Sequence, residues 1–273
     1  QAADALAYLA GDPNTKVILL YLEGCRDGAR MLEALELARR QSKPVVAIKL
    51  GRTDAGAKAA QSHTAALAGS DAVFDAVFRQ LGVYRAHNIE EFFDVGCATA
   101  IGTYPPNNKV GIVTVSGGVG VLMADDAAMR GLEVEELPKA TQEKFLELVP
   151  FAGVRNPLDV TGQIINDRTL LEKAITLVLS EADYGSLAVF QGASAADPLI
   201  AENQLAALGR VRKAFPDRLI LVSGLLSPEF AKAVEAQGMP AAREPTHNLR
   251  AIAALHRFAT TFARPYDPPQ VAP

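Results

Sequence analysis

The 273-residue sequence has only two cysteines, Cys25 and Cys97. Two cysteines cannot build a disulfide framework or a Cys-rich zinc site, so a reducing, cytoplasmic setting is expected. No Lys/Arg-rich run occurs, the net charge is −4 and the isoelectric point is about 5.7. That balance argues against nucleic acid and against an anionic membrane as partners. No apolar run reaches the ~18 residues of a membrane-spanning helix, and no basic–apolar–small leader opens the chain. The first residue is Gln rather than Met, which reads as a piece of something longer. The nucleotide-binding signatures are missing too. The one glycine-rich turn is not followed by Gly-Lys-Ser/Thr, and GxGxxG spacing is absent.

What is present is enough apolar residue for a large core: 49% hydrophobic against 21% charged, with a mean hydropathy of +0.11. Disordered and collagen-like chains are thereby excluded. Short β-rich runs alternate with amphipathic helices. Strands are predicted at 15–23, 44–50, 110–115, 132–136, 186–190 and 219–223. Helices are predicted at 27–41, 71–81, 90–100, 118–130, 141–148, 169–179, 198–214, 228–236 and 245–262. The Tyr104-Pro105-Pro106-Asn107-Asn108 break places a domain boundary, giving modules 1–107 and 108–273. This alternation means α/β units with mostly parallel sheets. Ligands of such sheets sit outside the carboxyl ends of the strands.

Four stretches stand at strand ends. In the first, Glu23 and Gly24 follow the 15–23 strand and precede a helix. Glu23 fits a functional acid, and equally a solvated loop acid or a partner of the helix dipole. The second, 51–69, is a long small-residue connection carrying His63 between Ser62 and Thr64. No Cys or second His lies at ligand spacing from His63, so no metal site is expected. The third is Ser116-Gly117-Gly118, between a strand and a helix, where amides and the helix start suit an anion; a plain tight turn is the other reading. The fourth, 155–162, offers Asn156, Asp159 and Gly162 around Pro157, either as ligand contacts or as a rigid turn.

Together these segments resemble the NDP-forming acyl-CoA synthetases, a family that includes ADP-forming acetyl-CoA synthetase, with a more distant likeness to succinyl-CoA synthetase. The resemblance rests on YLEG at 21–24, KPVVAIKLGR at 43–52, AGAKAAQSHTAALAGSD at 55–71, VSGGVGVLMAD at 115–125 and NPLDVTG at 156–162. It implies two flavodoxin-like modules, with helices on both sheet faces, the first truncated at its amino end. It implies acyl-CoA formation from a carboxylic acid through an acyl phosphate and a phosphorylated histidine, placed at His63, with Glu23 orienting the imidazole. Gly24 and Ser116, Gly117 and Gly118 then belong to two helix starts that face the phosphate. CoA, ATP or ADP and Mg are the implied cofactors of the whole enzyme, none of them held tightly by this chain. The implied partners are a CoA-binding domain and an ATP-grasp domain, on this or another chain. Ala65 departs from the family pattern, where Gly is common.

A rival reading is a regulatory, acyl-CoA-sensing region of a protein lysine acetyltransferase. An intact pair of His63 and Glu23 favours the ligase, since a sensor has no chemical need of it. A truncated first module exposes apolar surface, so a homo-oligomer is expected.

Overall fold

The computed structural model describes residues 1–64 and 69–266, with 60–64 described by their backbone alone. The chain forms two compact units. One comprises Gln1–Gly102 and Arg257–Pro273; the other is Thr103–His256.

The first unit opens with α1 (Ala2–Gly11), β1 (Ile18–Leu22), α2 (Gly28–Arg40) and β2 (Val45–Lys49). It continues with α3 (Asp54–Thr64), α4 (Asp71–Leu81), β3 (Tyr84–Arg85) and α5 (Ile89–Ile101). Its parallel sheet has the order β1-β2-β3. The central strand, Val-Val-Ala-Ile-Lys, is buried throughout, as a parallel strand covered on both faces should be. The edge strand β1 alternates buried and exposed residues. Leu6, Leu35, Phe78 and Ala47 belong to one apolar core beneath it. Helix starts are set by caps: Asp27 accepts from the Arg30 N–H, and Asn88 from the Glu91 N–H. Gly82, at φ +74°, ends α4 in the left-handed region, and a Cβ there would strike Thr261 of the returning tail. Arg39 donates to the Arg264 carbonyl at 3.0 Å, and the Tyr266 hydroxyl to Glu36 at 2.8 Å.

The second unit holds β4 (Val110–Thr114), α6 (Gly117–Met129), α7 (Lys139–Leu148), β5 (Leu158–Asp159), α8 (Gln163–Asn166) and α9 (Leu170–Glu181). There follow β6 (Ser186–Phe190), α10 (Pro198–Ala214), β7 (Leu219–Ser223), α11 (Pro228–Ala236) and β8 (Ala241–Ala242). The last helix, α12 (Pro245–Ala263), begins in this unit. The five strands are parallel in the order β5-β4-β6-β7-β8. This is the flavodoxin-like order, in which the chain steps from β4 to one side and then to the other. The core gathers Phe145, Ile175, Leu187, Val189, Leu208 and Val222.

Besides the short elements β3, β5, α8 and β8, three features depart from the expectation. α1 was not foreseen. The small-residue stretch read as a long connection contains α3: alanines are the strongest helix formers, and the Thr53 hydroxyl accepts the Gly56 N–H at its start. Residues 132–136 make no strand. A single bridge links Lys109 and Glu133, and beyond it the Glu135 carbonyl bonds to the side chains of Tyr184 and Asn156 instead of to a neighbouring strand.

Candidate functional site

In the first unit, Glu23 stands immediately beyond β1, half-buried. The Leu50 N–H donates to the Leu22 carbonyl, so the carboxyl ends of β1 and β2 lie side by side there. Gly24 leads through Cys25 and Arg26 to Asp27, whose carboxylate already occupies the first turn of α2. The anion expected at this helix start therefore has a resident competitor. The backbone of His63 lies in the last turn of α3. Its side chain, and Ala65, lie outside the described residues.

Sequence reading passed over Lys49, which ends the buried strand β2 and is 1% exposed. Its ammonium donates to the Leu50 carbonyl and sits 4.9 Å from the centroid of the Phe74 ring. Burial pushes its pKa below the ordinary lysine value, against the pull of Asp71 and with a smaller push from Arg85. Arg85 pairs with Asp71 at 2.5 Å and with Asp75 at 3.3 Å. The signal was available: one charge closing an otherwise apolar strand.

In the second unit, β4 delivers the chain to Ser116, and α6 starts at Gly117. The Thr114 hydroxyl accepts the Ser116 N–H and donates to the Ser116 carbonyl, both at 3.0 Å. The next amides, those of Gly117, Gly118 and Val119, have no protein acceptor among the described residues; the ladder begins with Gly120 N–H to the Ser116 carbonyl. Such orphan donors at a helix start form an anion seat. Gly120 is needed for fit, because a Cβ there would crowd Thr114 and Pro157. The turn lies at the point where the strand order reverses, between β4 and β6. From the other side comes Gly192, at φ +58°, where a Cβ would meet Val115. Gln191, fully buried at the end of β6, was not foreseen either.

The 155–162 stretch divides in two. The Asn156 carboxamide is consumed by the backbone: Oδ1 accepts the Ile112 N–H at 3.0 Å, and Nδ2 donates to the carbonyls of Val110 and Glu135. It extends the sheet edge where β5 is too short to do so. Asp159, by contrast, lies beside the turn after β4, opposite Thr114 in the ladder. Its Oδ1 accepts the Thr161 N–H at 2.9 Å. Gly162 forms the N-cap of α8.

A flavodoxin-like sheet with a free-amide turn at its switch point defines the class as an α/β protein that takes ligands at its strand ends. Residues 1–99 match the succinyl-CoA ligase-like flavodoxin domain, and 110–223 match the ligase-CoA domain. The chain belongs to the NDP-forming acyl-CoA synthetase family. It is 36% identical over 260 residues to the alpha subunit of acetate–CoA ligase [ADP-forming] I from Pyrococcus furiosus, covering 94% of this chain and 55% of that one. It is 32% identical over 185 residues to the 4-hydroxybutyrate–CoA ligase [ADP-forming] of Nitrosopumilus maritimus, covering 67% of this chain and 26% of that one. Among solved structures it is similar to the Ca. Korarchaeum cryptofilum dinucleotide-forming acetyl-coenzyme A synthetase 1 in complex with phosphate and ADP. The TM-score is 0.81 at 30% identity, with 96% of this chain and 57% of that one covered. The chain thus spans about half the length of these alpha-subunit and structural relatives. Among the described residues, no helix is long and apolar enough to cross a membrane.

Proposed function

We propose that the whole protein joins a carboxylic acid to CoA, reversibly coupled to ATP and ADP plus phosphate, and that this chain supplies the phosphohistidine and a phosphate seat. The observation that carries the reading is the set of three unpartnered amides at the start of α6, fixed by the Thr114 hydroxyl. Free N–H donors and the positive end of a helix suit a phosphoryl group. In the acyl-CoA-consuming direction, phosphate displaces CoA from the thioester, giving acyl phosphate and free thiol. The His63 imidazole then attacks phosphorus, and the carboxylate leaves as free acid. Transfer to ADP restores the imidazole and yields ATP. Glu23, accepting one ring N–H, leaves the other nitrogen with its lone pair for attack. Nucleotide, Mg and CoA belong to a CoA-binding domain and an ATP-grasp domain outside this chain. A homo-oligomer and a cytoplasmic site of action complete the reading. The relatives' names are those of ligases and a synthase, which favours this over the acetyltransferase-linked sensor.

The test is labelling of the full-length protein with ATP and Mg, or with acyl-CoA and phosphate. The label is expected on His63, acid-labile and base-stable, and discharged by ADP. His63→Ala should abolish labelling and acyl-CoA synthesis without unfolding. Full ligase turnover in His63→Ala overturns the phosphohistidine. Absence of any label in a wild type that carries both missing domains gives the field to the sensor.

A further inference from the structure

We infer that Lys49 is a positioning residue for His63: seated over the Phe74 ring, it ties together the two ends of the connection that carries the histidine. This rests on reading His63 as the residue that is phosphorylated. The connection leaves the sheet at Leu50, directly after β2, and enters α4 at Asp71. Its ends lie far apart in sequence but meet on one side chain. The Lys49 ammonium donates to the Leu50 carbonyl, the first backbone acceptor of the departing end. The same ammonium sits 4.9 Å from the centroid of Phe74, in the first turn of α4. On the returning side, Gly69, at φ +64°, lies against that same ring: a Cβ on it would stand 3.2 Å from Phe74 Cε2. On the departing side, Gly51, at φ +68°, brings its Cα to 3.3 Å from the place a Cβ on Gly56 of α3 would take. Glycine is what lets the chain turn this tightly at both ends.

A cation at 1% exposure is costly, and an apolar side chain would close the strand β2 at less expense of free energy. Its surroundings say what the charge does there. Arg85, from β3, pairs with Asp71 at 2.5 Å and with Asp75 at 3.3 Å, which fixes the first turns of α4 to the sheet. Asp71 also attracts Lys49. Lys49 then reaches α4 and the departing chain at once, the first through the face of an aromatic ring and the second through a hydrogen bond. His63, in the last turn of α3, is carried on this base. Without the charge, Leu50 and Phe74 lose their common partner. The imidazole then spends less of its time in the geometry that phosphoryl transfer needs. No bond forms or breaks on Lys49. Its loss should therefore lower the rate of transfer and leave nucleotide affinity alone.

The experiment is single-turnover labelling of His63 in the full-length protein with Mg and a series of ATP concentrations. In Lys49→Met, which fills the space without the charge, the maximal labelling rate is expected to fall about tenfold, with the half-saturating ATP concentration unchanged. Phe74→Leu, which removes the ring, should fall as far, while Phe74→Tyr, which keeps it, should stay within about threefold of wild type. The double variant of Lys49→Met and Phe74→Leu should be no slower than either single one, because both remove the same tie. Four results each overturn the positioning role and leave the phosphohistidine standing: a wild-type rate in Lys49→Met, a change confined to the half-saturating ATP concentration, equal rates in Phe74→Leu and Phe74→Tyr, or losses that multiply in the double variant. If circular dichroism shows Lys49→Met unfolded, the two Phe74 variants decide by the same readout. No label in the wild type overturns the reading of His63, and the role of Lys49 with it.

Discussion

Lys49 ends the central strand of the first unit with its ammonium over the ring of Phe74, 4.9 Å from the centroid. A cation is thereby held at 1% exposure, and burial lowers its pKa. The folded state then binds fewer protons at this position than the unfolded chain does. Stability is diminished while pH is below the folded pKa and recovers as pH rises to the unfolded value of 10.5. Lys49→Met should keep the packing on Phe74 and remove this upward slope. Urea titrations of both proteins below about pH 10.5 check it; an identical slope in the variant assigns the slope to other groups.

Tyr184 gives the opposite sign. Burial raises its hydroxyl to about 12, while the hydroxyl donates to the Glu135 carbonyl at 2.6 Å. The folded state retains a proton that the unfolded chain loses near pH 10. The contribution is whole below that pH and is lost as pH rises through about 12. Its ceiling, for two pKa units, is about 3 kcal/mol. Tyr184→Phe should flatten alkaline unfolding of the second unit in that window, read by circular dichroism.

The Asn156 carboxamide bonds to three backbone groups. Asn156→Ala should cost about 2–4 kcal/mol in unfolding free energy, through backbone groups left without partners. Asn156→Asp should do no better, because a carboxylate can still accept from Ile112 but faces the carbonyls of Val110 and Glu135. An Asp variant with wild-type stability would show that these contacts contribute little.

Glu23→Gln, in the full-length enzyme, should slow His63 phosphorylation by ten- to ten-thousand-fold while leaving the fold intact. Quenched-flow labelling measures it. Unchanged phosphohistidine formation would remove Glu23 from the site.

The long regular elements were legible because their periodicity is local. The runs at β2, β4, β6 and β7 are apolar but for one end residue each, and helices such as α2 and α10 carry their own caps. The two-residue strands β3, β5 and β8 were not, since two residues carry no period and their pairing is decided by neighbours distant in sequence. α3 was hidden because alanine and glycine serve helices and close-packed loops alike. The roles of Asn156 and Asp159 could not be separated in sequence. One is spent along the edge of β4, the other holds the Thr161 N–H and brings its second oxygen beside Gly117, and only the pairing of β5 with β4 distinguishes them.

Gly82 and Thr261 meet across a gap of sequence that contains the entire second unit. During synthesis the first unit emerges early but cannot close until the ribosome has passed Arg257 and the tail is free to return. Thr103–His256, contiguous in the chain, can finish first. Of the two units, the one that starts first in sequence is therefore the later one to be completed. Its Gly82 turn stays open until Thr261, which follows the whole second unit in sequence, has been made.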